Sequence, residues 1–292
     1  MTPTLLPSDA YPRKSSEGAD KGVSVFDALR KLAYDQAGIA IRENKETLVS
    51  ARIAKRMRQF GFQTERQYLD YLRGDSSGQE MVQFLDAIST NFTSFFREPD
   101  HFQLLREEAE DWRRRGRSSI RMWCAASATG EEPYTLAMTL AESLDPHGVS
   151  WKLLASDISV GALRTAAAGI YERSRLDQVP PALRQKYFAP GYREEPGEPT
   201  HRVTEMLRSR VMFKRLNLST PPFPMRGDLD AVFCRNVMIY FDTAVRQRLV
   251  SEIERLLRPG GLLVVAHSET LNGIRSELQT VRPSVYRKPA AA

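Results

Sequence analysis

Two adjacent carboxylates follow one glycine in Ser127-Ala128-Thr129-Gly130-Glu131-Glu132-Pro133, a run of small residues that leads into a helical pattern with proline at its start. Turns of this kind cradle nucleotides, but a dinucleotide needs the glycines of G-x-G-x-x-G so that backbone can approach its pyrophosphate. One glycine and two acids would repel a phosphate instead. They suit a ligand with a cationic end and no phosphate, such as S-adenosylmethionine. The plainer alternative is that Glu131 and Glu132 only complement the helix dipole.

Asp157 closes the apolar run Leu153-Leu154-Ala155-Ser156 about 25 residues past the glycine turn, where an acid can accept hydrogen bonds from two vicinal ribose hydroxyls. It could equally cap the helix that starts near Val160. In a third segment, Phe233-Cys234-Arg235-Asn236-Val237-Met238-Ile239-Tyr240-Phe241, an apolar strand ends in Arg235 and Asn236, a cation and an amide at one rim. The Asn-Pro-Pro-Tyr of amino-methylating enzymes is absent from it. Thr90-Asn91-Phe92-Thr93-Ser94-Phe95-Phe96-Arg97 mixes small polar residues with aromatics. It reads either as a helix cap with a hydrophobic staple or as a lid with Arg97 facing an anion. His267 has no Cys or His at ligand spacing, so no metal site is expected. No G-x-S-x-G and no Walker loop is present, which leaves hydrolase and kinase chemistry without support.

The elements that must position these residues follow from periodicity. Phe26, Leu29 and Ala33, then Val49, Ile53, Met57 and Phe60, recur at three- and four-residue steps, and the helical pattern continues to Ile88. This predicts an all-α domain over residues 23–89, after a disordered lead-in at 1–22 rich in Pro, Ser, Lys and Gly. Residues 90–118 form a linker with a helix over His101–Arg115. From 119 to 292 strands alternate with helices: strands at Ile120–Ala126, Trp151–Ser156, Ala231–Cys234 and Leu262–Ala266, helices at Pro133–Leu144, Val160–Ala168 and Thr243–Leu257. That rhythm argues for a parallel sheet covered by helices. It breaks from Ile170 to about Met212, a proline- and glycine-rich interval read as a subdomain inserted in the sheet domain, with bounds set at 172–212. Leu256-Leu257-Arg258-Pro259-Gly260-Gly261 reads as a helix stop before a buried strand.

Composition narrows the class. The 292 residues are 41% hydrophobic and 27% charged, with two cysteines and a net charge of +6. That balance excludes wholesale disorder, collagen and coiled coil. Two cysteines cannot build a disulfide framework. No run approaches the roughly 20 apolar residues needed to span a bilayer, and the N-terminus lacks a signal peptide's apolar core. A cytoplasmic, soluble monomer with no membrane insertion is expected. Charge location matters more than its sum. Lys45, Arg52, Lys55, Arg56 and Arg58 line a helix beside its apolar face, either as a solvated surface or as a docking strip for an acidic partner. Without interleaved aromatics for base stacking, nucleic acid is not expected there.

Taken together, the chain resembles the CheR family, the chemotaxis-receptor glutamate O-methyltransferases. The resemblance is carried by Thr90–Glu98, by Trp123–Ala137 with its Thr-Gly-Glu-Glu-Pro-Tyr core, by Ala155-Ser156-Asp157-Ile158, by Phe233–Asp242 with Cys-Arg-Asn-Val-Met-Ile-Tyr-Phe, and by His267-Ser268-Glu269. It implies an all-α N-terminal domain before a Rossmann-type α/β methyltransferase domain with a small inserted β-subdomain. It further implies that Asn91, Thr93, Arg97, Glu131, Asp157, Asn217, Leu218, Asn236 and Val237 line the S-adenosylmethionine site. Arg97 and Tyr240 would lie nearest the reacting groups. The expected products are glutamate methyl esters on methyl-accepting receptors, in chemosensory adaptation, and S-adenosylhomocysteine. The same resemblance makes the basic strip a receptor-docking surface. The inserted subdomain of some members grips a receptor's C-terminal peptide, whereas Pro190–Thr200 here is rich in Pro and Glu. Two rivals stay open on the residues alone: a methyltransferase for nucleic acid or a small molecule, and a non-catalytic binder of S-adenosylhomocysteine.

Overall fold

The computed structural model describes residues 23–191 and 198–290. The expected lead-in at 1–22 lies outside them, as do residues 192–197 of the Pro- and Glu-rich stretch. The chain divides into two compact units at Ser89/Thr90.

The first unit is all helical: α1 (Val25–Ala37), α2 (Glu46–Phe60), α3 (Glu65–Gly74) and α4 (Gln79–Ile88). Ser24 starts α1 by accepting the Asp27 N–H at 3.0 Å, and Thr64 with Gln67 closes a reciprocal capping box on α3. Leu29, Ile53, Leu69 and Phe84, fully buried, are the apolar faces turned inward.

The basic strip on α2 is narrower than its spacing predicts. Arg56 sends Nε to Glu80 Oε1 at 3.0 Å and pairs Nη2 with Glu80 Oε2, while Tyr68 donates its hydroxyl to Glu80 at 2.8 Å. Glu80 is buried, so Arg56 neutralises an interior carboxylate instead of facing outward. The Glu80 hydrogen bond raises the Arg56 pKa further, and burial raises that of Tyr68. Arg52 donates Nη1 to the carbonyls of Ile88 and Ser89, at the carbonyl end of α4 where helix partners run out. Lys45, Lys55 and Arg58 remain exposed.

The second unit begins with residues 90–99 and α5 (Asp100–Arg114), which Pro99 precedes at φ −65°. There follow β1 (Ser119–Cys124), α6 (Glu131–Leu144), β2 (Ser150–Asp157) and α7 (Val160–Ala168). Next come β3 (Ile170–Glu172), α8 (Pro181–Tyr187), β4 (Phe188–Pro190), β5 (Thr200–Val203), α9 (Glu205–Arg208) and β6 (Val211–Arg215). The chain continues through β7 (Leu229–Phe233), α10 (Thr243–Leu256), β8 (Leu257–Val264), β9 (Gln279–Arg282) and β10 (Val285–Arg287).

The main sheet runs β6-β2-β1-β7-β8-β10-β9, parallel from β6 to β8 and antiparallel through the last two strands. Every residue of β7 is buried, as a strand covered on both faces requires. The chain steps from β1 to β2 on one side, and β7 lies on the other. The carboxyl ends of β1, β2 and β7 therefore flank the crevice where strand order reverses. A second, antiparallel sheet runs β3-β5-β4. The inserted interval thus starts two residues before the expected 172, and Val211 and Met212 belong to the main sheet through pairing with β2. Pro259-Gly260-Gly261 is not a turn between helix and strand. β8 is already paired at Leu257, and its register slips there, with Leu229 opposite Leu257 and Ala231 opposite Leu262.

None of the described helices is long and apolar enough to cross a membrane.

Candidate active site

The turn after β1 is held closed from three sides. Ala125 N–H bonds Phe233 O at 2.8 Å and Ser127 N–H bonds Ser156 O at 2.9 Å, tying the turn to β7 and β2. Gly130 takes φ +100°, and a Cβ there would lie 2.6 Å from the Tyr171 hydroxyl and 2.8 Å from Ala166 Cβ. No other residue fits that position.

Asp157 joins this turn to the next. Its Oδ2 accepts the Ala128 N–H at 2.8 Å and its Oδ1 the Ser159 N–H at 2.9 Å. It is not the cap of α7; Ser159 is, accepting from Ala162 N–H at 3.0 Å. Asn91 reaches the same turn through Nδ2 to Ser159 Oγ at 3.4 Å.

Glu131 and Glu132 part company. Glu131 ends at the turn itself, with Oε2 accepting the Thr129 hydroxyl at 2.6 Å and Oε1 paired with Arg175. Glu132 turns into the protein, onto Arg235 at 2.7 Å and the Cys124 thiol at 3.4 Å. Burial raises the Glu132 pKa despite that guanidinium. Burial also pushes the Cys124 and Cys234 thiols well up, so neither is a thiolate nucleophile.

The stretch from Asn91 to Glu98 is neither a helix cap nor a staple. Phe95 is buried edge-on against Tyr171 and Phe188, and Phe96 N–H bonds the Thr135 hydroxyl at 3.2 Å. Phe96 and Glu98 both hold positive φ, +54° and +57°. Such strained positions persist only where surrounding structure over-determines them. Arg235 supplies much of that constraint. Fully buried, it donates to Arg97 O at 2.6 Å and to Glu98 Oε2 at 2.9 Å, and lies over the Phe102 ring. Burial alone would raise the Glu98 pKa, but the hydrogen bond and charge of Arg235 outweigh it and the net shift is downward. The Arg97 side chain is half-buried, with Nη1 on Phe92 O at 3.3 Å and its guanidinium beside the Phe92 ring, itself 75% exposed. Thr93 is half-buried on the same stretch.

Beyond β7, Asn236 sits at φ +57° and gives its N–H to Glu269 Oε2 at 2.9 Å. Glu269, buried, also accepts from Ala266 N–H at 2.9 Å and Ile239 N–H at 3.3 Å. It therefore fixes the loop bearing Asn236, Val237 and Tyr240. Tyr240 is half-buried on the short 3-10 turn Met238–Tyr240; a direct contact with Arg97 is not among those made by the described residues. Asn217 follows β6 and accepts Ser219 N–H at 3.0 Å, and Leu218 is buried beside it. Arg235, Glu132, Glu98 and Glu269 are the organising residues, a role that motif reading gives to none of them. The signal for two of them was the Arg in Cys-Arg-Asn, at the end of an apolar run, and the second Glu of Gly-Glu-Glu, just past the glycine turn.

His267 does gain a histidine neighbour. Its ring meets buried His101 edge-on at 4.7 Å, and Glu98, His101 and His267 can offer ligand atoms within 4.8 Å of one another. The Glu98 oxygen facing His101 is already held by the Arg235 cation, which repels a dication at that point.

The carboxyl ends of β1, β2 and β7 in this Rossmann-type α/β domain thus gather acids and amides, not a glycine-rich phosphate cradle. This donor set fits a ribose and a cationic amino-acid end, the make-up of S-adenosylmethionine, and defines a methyltransferase of that cofactor class. Residues 91–286 match the SAM-binding domain of CheR methyltransferase, and residues 24–89 match its all-alpha domain. The chain belongs to the CheR methyltransferase family. It is 39% identical over 284 residues to chemotaxis protein methyltransferase 2 of Pseudomonas aeruginosa, covering 97% of this chain and 99% of that one. It is 37% identical over 286 residues to the chemotaxis protein methyltransferase of Escherichia coli K12, covering 98% and 93%.

Proposed function

We propose that the protein transfers the methyl group of S-adenosylmethionine to glutamate side chains on cytoplasmic helices of chemoreceptors, leaving glutamate methyl esters and S-adenosylhomocysteine. The observation that carries this reading is the acid-and-amide rim around Asp157 and Glu131 in a chain of this family. Asp157, at the carboxyl end of β2 beside the glycine turn, takes the ribose hydroxyls. Glu131 takes the ammonium of the amino-acid end. Asn91, Thr93, Asn217, Leu218, Asn236 and Val237 enclose the remainder.

The chemistry asks little of acid–base groups. A glutamate side chain, with a reference pKa of about 4.3, is already an anion at neutral pH. When bound, the sulfonium supplies an activated methyl and a neutral leaving group. The task left to the protein is alignment, and well-oriented reactants gain roughly 7–11 kcal/mol from it. Arg97 holds the substrate carboxylate, with its main chain fixed by Arg235. Tyr240 orients the acceptor from the loop that Glu269 fixes. Lys45, Lys55 and Arg58 supply the basic surface for the receptor's acidic helices.

Incubation with methyl-labelled cofactor and receptor cytoplasmic fragments, then mild base, tests the reading. Label released as methanol supports it. Base-stable label would point to N- or C-methylation, and ligand binding without transfer to any fragment would leave a binding protein.

A further inference from the structure

We infer that Arg175 recognises the α-carboxylate of the bound cofactor, forming with Glu131 a paired cation and anion for the zwitterionic amino-acid end. The inference rests on the cofactor reading above and deepens it. An α-amino acid carries its ammonium and its carboxylate on one carbon, so a site that offers Glu131 to the first needs a cation close by for the second. Arg97, which the resemblance places at both the cofactor and the methyl acceptor, leans on Phe92 and has no bond to Glu131 among the described residues; Asn91 and Thr93 are uncharged. Arg175 is the guanidinium that touches Glu131, and it also reaches Thr129 Oγ1 at 3.4 Å.

Its placement suits the role. Arg175 belongs to the short 3-10 turn Arg173–Leu176, next to the inserted sheet. Leu176 is fully buried, and Ser174 bonds both Glu198 oxygens. Tyr171, at the start of this segment, gives its hydroxyl to Thr129 O at 2.8 Å. The segment bearing Arg175 is therefore tied to the cofactor turn, while its side chain, bonded to Glu131 and Thr129, is 45% exposed and has room on the solvent side to pivot. Glu131 is wholly covered with Arg175 upon it, so an arriving ammonium must shift the guanidinium off Oε1. From the same pivot a planar, bidentate donor meets the adjoining carboxylate.

Calorimetric binding of S-adenosylhomocysteine and of 5′-methylthioadenosine, which keeps the nucleoside but lacks the amino-acid end, tests this. Arg175→Ala should weaken S-adenosylhomocysteine by about tenfold to a hundredfold, the worth of charge-assisted hydrogen bonds. It should leave 5′-methylthioadenosine unchanged, and Arg175→Lys should recover part of the loss. Tighter S-adenosylhomocysteine binding by the Ala variant would show that Arg175 merely obstructs Glu131, and would overturn the inference. Unchanged binding of both ligands, or equal weakening of both, would also overturn it. If the unaltered protein bound neither ligand, the cofactor reading itself would fall and take this inference with it.

Discussion

The Arg235 guanidinium, wholly buried, donates to the main-chain carbonyl of Arg97 at 2.6 Å across 138 residues of sequence. One cation thereby holds the catalytic candidate in place by its backbone and pairs with both Glu98 and Glu132. Arg235→Met would leave buried Glu132 and half-buried Glu98 without their cation, a change that costs about 3–5 kcal/mol when a buried ion pair loses one partner. Urea unfolding should show that loss. Arg235→Lys keeps the charge but not the fork that spans Glu132, Glu98 and Arg97 O, so it should retain more stability than activity.

Asp157 carries two duties, and its variants should separate them. Asp157→Ala strands the N–H groups of Ala128 and Ser159, at about 1–3 kcal/mol for each donor left buried. It also deletes the ribose acceptor. Both the thermal midpoint and the affinity for S-adenosylhomocysteine should fall. Unchanged affinity by calorimetry would remove Asp157 from the site.

Glu269 acts through the loop it holds. Its two oxygens receive three backbone N–H groups, from Asn236, Ala266 and Ile239. Glu269→Gln puts an amide donor where one of those oxygens accepts. Cofactor affinity should drop by about tenfold, the worth of one charged hydrogen bond, with secondary structure by circular dichroism unchanged.

These cases show what was legible in the sequence. Asp157 and Glu131 could be picked out because each ends a local pattern, a strand or a glycine turn, and locality is what periodicity reports. Arg235 could not be placed, because its partners Glu132 and Glu98 stand 103 and 137 residues away and only sheet topology brings them together. Arg56 was misplaced for the same reason. A single-helix reading puts it beside the apolar face, but Glu80, which draws it inward, sits on another helix. The parallel strands were visible as apolar runs. The last two, Gln279–Arg282 and Val285–Arg287, were not: they are short, and the first is exposed throughout.

Charge reversal on α2 should therefore divide into two outcomes. Arg56→Glu sets a second carboxylate against buried Glu80 and should unfold the first unit, seen as loss of its helical signal and its proteolytic resistance. Lys55→Glu with Arg58→Glu changes only exposed side chains and should leave unfolding within about 0.5 kcal/mol. The double variant should methylate receptor fragments more slowly, most clearly at low salt, with S-adenosylhomocysteine affinity intact. Unimpaired receptor methylation by that variant would take the docking surface off this helix.

His101 makes folding sensitive to mild acid. Burial, aided by the Arg235 charge, pushes its pKa down to about 4, against the opposing pull of Asp100 and Glu98. The unfolded chain binds that proton near pH 6.5. Between those values the unfolded state holds more protons, so stability is complete above about pH 6.5 and is lost as pH falls toward 4. Glu98, whose pKa is also lowered, adds a loss in the same direction at more acid pH. Urea unfolding at pH 7.5 and pH 5 should differ by on the order of 1–2 kcal/mol from His101. His101→Gln, which cannot take up the proton, should shrink that difference. A protein that grew more stable on acidification would mean that His101 is charged in the folded state, paired with Glu98 at its 3.4 Å separation.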